Sequence, residues 1–295
     1  MNSELRYHDT TWSPADFLCV YVCFYMFNGT KRHVESPQSD KLIPDSFIRE
    51  DLLRFCESLY RYETAKETTF RNGEDFCKTT SFLSRNPFST NADIHLDSLA
   101  LSHEILGFTL ERKSSSLSEA GGGIFVTKGS IPANTFVCLY PGTIYRVHDP
   151  LFFQSLKNQF IFRCADQIHI DGNDRGLSKL IFKSCTHRDR RFPYWTADAT
   201  WMSTWPVNPL AVGQYVNNQT PEFPANVAYQ EFDISSDFPI HLSRYLPYVE
   251  YSGGLNLYNS VNRLLRGVAL VSLRSIHAGE ELFSTYFTVI EAPQQ

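Results

Sequence analysis

Beyond about residue 120 the chain is cut into short β-rich runs, each closed off by Gly, Pro, Asn or Asp. Ile124–Val126, Thr135–Tyr140, Thr143–Tyr145, Phe160–Phe162, Gln167–Ile170, Val227–Tyr229 and Val268–Leu273 are these runs. β-Branched and aromatic side chains suit a pleated, half-buried surface, and punctuation this frequent leaves no room for long strands. The spacing therefore predicts a mostly β body built from many short strands.

The preceding part has a different period. After Pro44, Asp45 can cap a helix whose apolar positions Ile48, Leu52, Phe55, Cys56 and Leu59 recur three and four residues apart, with Arg49, Glu50, Arg54 and Glu57 outside. A second helix is predicted from about Asp93 to Leu106, stopped by Gly107 in the position that favours a left-handed residue. Residues 71–92 read as loop, and Glu111–Ala120 ("ERKSSSLSEA") has the composition of a linker or mobile edge. The expected organisation is a poorly defined segment 1–40, a helical region 41–117 and a β body 118–289 with a variable insertion at about 172–212.

Composition excludes several classes. A net charge of −5 provides no basic field to draw the chain to nucleic acid or an anionic membrane. The seven cysteines stand singly, without the Cys/His pairing of a zinc site, and an odd number suits a disulfide framework badly. Cytoplasm or nucleus and no structural metal are the expectation. Phe17–Phe27 ("FLCVYVCFYMF") is apolar but too short to span a bilayer as a helix, and the acidic residues before it argue against a signal peptide. It reads as a buried strand or helix docked on the body, with a peripheral anchor as the alternative.

One stretch conflicts with its own β pattern. Gly121, Gly122 and Gly123 open the first run of the β body, although glycine loses the most entropy on ordering and packs no side chain. They make no dinucleotide fingerprint, because Val126 stands where a third small residue is needed and a strand follows rather than a helix. A phosphate loop of the GxxxxGKS type is absent. Either the chain turns sharply at the glycines or something lies against bare backbone.

The residues around them resemble a known family. "GGGIFVTKGSIPANTFVCLYPG" resembles the opening of the SET domain, the fold of many protein lysine methyltransferases, with its G-x-G-apolar-aromatic start and its strand pair ending in Y-x-G. "GQYVNNQT" (Gly213–Thr220) resembles that family's asparagine segment, and "IHAGEELFSTYF" (Ile276–Phe287) its closing G-E-E-L motif. Across "FFQSLKNQFIFRC", "DGNDRGLSK" and "NPLAVGQYVNN" the chain is similar to the subfamily called SET domain-containing protein nine.

The resemblance implies an α+β fold: several small sheets, a knot-like threading of the C-terminal part and a helical region before them. It implies S-adenosyl-L-methionine as cofactor and a protein or peptide carrying a target lysine as partner. Gly121, Gly122, Gly123, Phe125, Asn217, Asn218 and Tyr286 would bind the cofactor, with Gly121 and Gly123 at closest approach. Asn217 would hold its amino group, Asn218 would use its backbone near the adenine, and Tyr286 would be the catalytic residue over the sulfonium. Tyr140, Trp195, Trp201 and Phe287 would face the substrate. The transfer is an in-line displacement that needs alignment and exclusion of water, and no metal.

The chain also departs from the family. Asn218, Gln219 and Thr220 replace the usual His, Ser and Cys, the following P-N pair is Ala225-Asn226, and Thr285 stands before Tyr286 in place of aspartate. Glu280 and Glu281 invite a paired-carboxylate reading, but neighbours on a strand or turn point apart, so structural roles are expected. The insertion carries Trp195, Trp201 and Trp205 beside Lys179, Lys183, Arg188, Arg190 and Arg191. Two readings stay open for it: a peptide-docking wall, or a small satellite core with a solvated charged rim.

Overall fold

A computed structural model describes residues 41–71, 90–189, 197–235, 237–253 and 264–285. Phe17–Phe27, Trp195, Tyr286 and Phe287 lie outside the described residues.

The predicted apolar stripe forms helix α1 (Asp45–Arg71), with Ile48, Leu52, Phe55, Cys56 and Leu59 all buried. Its start is tied to the β body by one side chain. Gln230 accepts from the backbone N–H of Leu42 and Ile43 through Oε1 and donates to the Ile43 carbonyl through Nε2. α2 (Asn91–Leu106) begins at Thr90, whose hydroxyl accepts from the Asp93 N–H while the Asp93 carboxylate accepts from the Thr90 N–H. It ends as expected at Gly107, with φ of 86°.

Two three-stranded sheets form the centre. One has the order β1–β2–β11, from β1 (Phe108–Ser114), β2 (Gly122–Ile131) and β11 (Ile276–His277). The other has the order β3–β10–β8, from β3 (Phe136–Leu139), β10 (Leu265–Ser272) and β8 (Val227–Ile234). β10 lies between two antiparallel partners, which explains its unbroken apolar run Val268–Val271. A four-stranded sheet joins β5 (Ile161–Arg163), β6 (His169–Asp171), β4 (Gly142–Tyr145) and β9 (Tyr248–Glu250) in that order. The smallest sheet pairs β12 (Phe283–Ser284) in parallel with β7 (Asn217–Asn218). The fold is α+β, with the helical region present and the β part divided among small sheets.

The linker expected at Glu111–Ala120 is a strand as far as Ser114. Opposite Lys113 and Ser114 stand Gly123 and Gly122, and Ser115 continues by donating its N–H to the Gly121 carbonyl. Pairing needs only backbone, so polar composition was no bar to it. Nor do the helices form a separate body. Ile48, Leu52 and Phe55 share one core with Ile124, Val126, Leu139 and Leu270.

Candidate active site

The glycines lie where three distant segments meet. Gly121 has φ of 69°, a conformation that an L side chain rarely adopts, and among the described residues beyond its chain neighbours no atom lies within 4 Å of the place its Cβ would take. At Gly123 the reason for glycine is different: a Cβ would stand 1.9 Å from Oε1 of Glu281 and 3.1 Å from Nδ2 of Asn217. What lies against the bare backbone is therefore the protein's own closing segment. Phe125, two residues on and half-buried, bridges Glu281 in antiparallel fashion.

Glu281 is the centre of this meeting point and is only 5% exposed. Its Oε1 accepts from the Ser115 hydroxyl at 2.7 Å and from Asn217 Nδ2 at 3.0 Å, and its Oε2 from the Ser116 N–H at 2.7 Å. Asn217 Nδ2 also contacts the Gly122 carbonyl at 3.0 Å. Glu280 points the other way, to an exposed pair with Arg274 and the His277 N–H. That pair holds its carboxyl below the ordinary value. The two neighbours do point apart, but only Glu280 reaches the surface.

A residue outside the expected site set fastens the closing segment. Asn226, fully buried, donates its N–H to the Phe283 carbonyl and its Nδ2 to the Glu281 carbonyl, and its Oδ1 accepts from the Phe283 N–H. Gln219 adds an N–H to the Ser284 carbonyl. The signal for Asn226 was the displaced Ala225-Asn226 pair. Asn218 is exposed and offers backbone in β7.

On the adjoining side an aromatic group assembles. Tyr140 is buried, donates its hydroxyl to the Phe160 carbonyl, and packs its ring near Phe162 and Tyr229. Tyr215, two residues before Asn217, carries the Arg112 guanidinium 3.7 Å from its ring centre and donates its hydroxyl to Asp174. Burial, then the Asp174 carboxylate, push its phenol up to about 12. Tyr215 thus stays neutral at physiological pH.

The insertion supplies less to this site than its composition promised. Trp201 is 2% exposed, its ring edge-on to Phe182 in a small core with Cys185, Ala197, Met202 and Val249. Buried this way, Trp201 offers no face to a substrate, because the segment folds its apolar residues onto the helix α3 (Gly176–Arg188). Trp205, 45% exposed, instead lies beside His95. Two members of the basic group are engaged by the protein itself, while Lys183 is exposed. Lys179 donates to the Met202 carbonyl, and Arg188 pairs with Asp189 and donates to the carbonyls of Glu250 and Tyr251.

Among the described residues one group has metal-binding potential, Cys164, Asp166 and Glu231. Arg266 pairs with Asp166, Glu231 and Asp233 and already supplies the positive charge there. The described cysteines Cys56, Cys138, Cys164 and Cys185 are free and buried. No described helix is long and apolar enough to cross a membrane.

The chain is 40% identical over 285 residues to SET domain-containing protein 9 of Pongo abelii, a match covering 89% of this chain and 97% of that protein. It is 41% identical over 284 residues to SET domain-containing protein 9 of Homo sapiens, covering 88% and 89%. Among solved structures it matches CpSET8 from Cryptosporidium at 13% identity and a TM-score of 0.29, over 80% of this chain and 96% of that one. No family model matches.

Proposed function

The chain belongs to the family of SET domain-containing protein 9, and from that membership we propose that it is an S-adenosyl-L-methionine-dependent methyltransferase acting on a lysine side chain of a protein substrate. One observation carries the reading: Gly121–Gly123, Asn217 and the segment leading to Tyr286 are up to about 160 residues apart in sequence, yet they share one hydrogen-bonded site.

The residues present fit the cofactor. Among the described residues beyond its chain neighbours nothing lies within 4 Å of the place a Cβ on Gly121 would take, and Gly121 and Asn218 are exposed, so a ligand can approach the turn without a side chain in the way. Gly121, Gly122, Gly123, Phe125, Asn217, Asn218 and Tyr286 would hold it. When bound, S-adenosylmethionine supplies a methyl group on a positively charged sulfur.

The chain's own part is positioning. A free lysine has a pKa of about 10.4, so the neutral amine costs roughly 4–5 kcal/mol at neutral pH. A water-poor channel next to a positive charge lowers that cost by disfavouring the ammonium. The family resemblance implies that Tyr140, Phe287 and Trp195 would line this channel and the peptide approach. The Tyr286 hydroxyl would orient the amine. It is no general base, since an ordinary phenol is protonated at neutral pH.

Titration calorimetry of S-adenosylmethionine and S-adenosylhomocysteine into the full chain tests the reading, with Gly123→Arg and Asn217→Ala as controls checked for folding. Binding by wild type, lost in both variants, followed by transfer of labelled methyl to a protein lysine that Tyr286→Phe abolishes, is the expected result. Asn218-Gln219-Thr220, in place of the family's usual residues, favours a second reading: a catalytically silent SET-fold protein that binds peptides. A well-folded wild-type chain that binds neither ligand selects that second reading.

A further inference from the structure

The four-stranded sheet and α3 close over a small core of Tyr145, Leu151 and Ile161, against which Ile181 of α3 packs. Beside it Nδ2 of Asn158 lies 3.5 Å from the Ser178 hydroxyl. The short helix Phe152–Ser155 and the first turns of α3 are thus neighbours. On their outer side stand Phe153, Leu156, Leu177 and Leu180, four of the twelve large apolar side chains exposed among the described residues, with Phe153 at 71% and Leu180 at 66%. An apolar residue exposed singly needs no explanation, but four on two touching elements do.

The exposed charges on these elements have one sign. Lys157 follows Leu156, Arg175 comes two residues before Leu177, and Lys183 lies one turn beyond Leu180 on the same side of α3. The carboxylates nearby, Asp149, Asp174 and Asp189, are half-buried and occupied: Asp149 accepts from the Arg146 N–H, Asp174 from the Tyr215 hydroxyl, and Asp189 from Arg188. Arg175 approaches Asp174 at 3.5 Å but keeps 81% of its side chain in solvent. A chain whose net charge is −5 therefore carries one face that is cationic and apolar together.

We propose that this face docks a segment of a partner protein in which apolar side chains are interspersed with Asp or Glu. Charge selects that occupant. A second copy of the chain would bring the same cations against each other across a two-fold interface. An anionic bilayer is repelled at range by the net negative charge of the whole molecule, whereas a short segment meets only the local cations. With Trp201 buried, the insertion presents the leucines of α3 to a partner in its place.

The test is fluorescence anisotropy of the full chain with a short labelled peptide of leucine and glutamate, against the same peptide with lysine in place of glutamate. The glutamate peptide should bind at least about tenfold tighter than the lysine peptide, and the double variant Phe153→Glu, Leu180→Glu should lose about tenfold in its affinity. Phe47→Glu, at an exposed position on α1, should bind like wild type. No binding of the glutamate peptide by wild type, equal binding of the two peptides, or equal binding by wild type and the double variant overturns the proposal. Binding to phosphatidylserine vesicles that the double variant loses, without peptide binding, assigns the face to a membrane and overturns it. A dimer that the double variant abolishes, again without peptide binding, assigns the face to a second copy and does the same. Both substituted positions are exposed, so the variant should keep the wild-type Tm. Should it not fold, wild type labelled on its leucine methyl groups decides by NMR: peptide-induced shifts centred on Leu156, Leu177 and Leu180 support the face, and shifts centred elsewhere overturn it.

Discussion

The glycine site and the small core under α3 each gather segments remote in sequence, by opposite means. At the site, Ser115, Gly122, Asn217 and Glu281 are joined by directional bonds to named atoms, and a single added carbon at Gly123 meets an oxygen. Under α3, Phe182, Trp201 and Met202 are joined by volume, with the Trp201 Nε1 given no partner among the described residues. The first arrangement specifies chemistry; the second specifies only that space be filled.

The largest expected effect is on the side of volume. Trp201→Ala should destabilise the fold by about 3–5 kcal/mol through lost burial and the cavity left behind, seen as a fall in the denaturant midpoint. Trp201→Phe should cost far less, since it keeps a ring and removes an unbonded N–H. Folded Trp201→Phe should bind S-adenosylhomocysteine like wild type; a changed affinity would tie this core to the site and break the contrast.

Gly123→Ala should show the other pattern. The new Cβ must displace Glu281, at roughly 1–3 kcal/mol of overpacking, and calorimetry should show binding lost well beyond that modest change in stability. Retained affinity would mean that the glycine strand is structural only.

Asp198 sits at the edge of the small core, where burial pushes its carboxyl up from 3.8 to about 6, against hydrogen bonds from Thr200 that lower it. Over that interval the folded chain holds a proton that the unfolded chain has released, so stability falls as pH rises from about 4 to 6. Asp198→Asn should remove this contribution to the slope in a series of Tm measurements across the interval. An unchanged slope would assign the pH dependence to other groups.

The smallest effect belongs to Glu280. Its pair with Arg274 is partly exposed, and such pairs contribute about 0–1 kcal/mol, screened by salt. Glu280→Ala should leave both Tm and S-adenosylhomocysteine affinity near wild type.

Much of the scaffold was legible in local pattern. The α1 stripe, the Gly107 stop and the short strands follow from spacing, because helix and strand periods are local properties of the chain. The site was legible in part. Gly123 and Asn217 were expected as partners of a ligand, yet each is also required by Glu281, a contact that crosses from β2 to the closing segment. No local rule ranks Glu280 against Glu281, since only sheet register tells which one turns inward. The polar stretch at Glu111–Ser114 misled for a related reason: Lys113 and Ser114 pair with Gly123 and Gly122, which ask nothing of the side chains opposite. Trp201 among charged residues suited either a docking wall or a small core, and only the position of Phe182 on α3 separates the two.

By itself, then, the sequence determined which segments become helix or strand, where glycine must stand, and which family the chain resembles; these depend on neighbours along the chain and on motifs of fixed spacing. The tertiary structure alone decided which carboxylate is buried, that Asn226 fastens the closing segment, and that the helical region shares the core of the β body. Those outcomes are set by contacts between segments more than fifty residues apart, and a one-dimensional pattern carries no record of which backbone will lie across which.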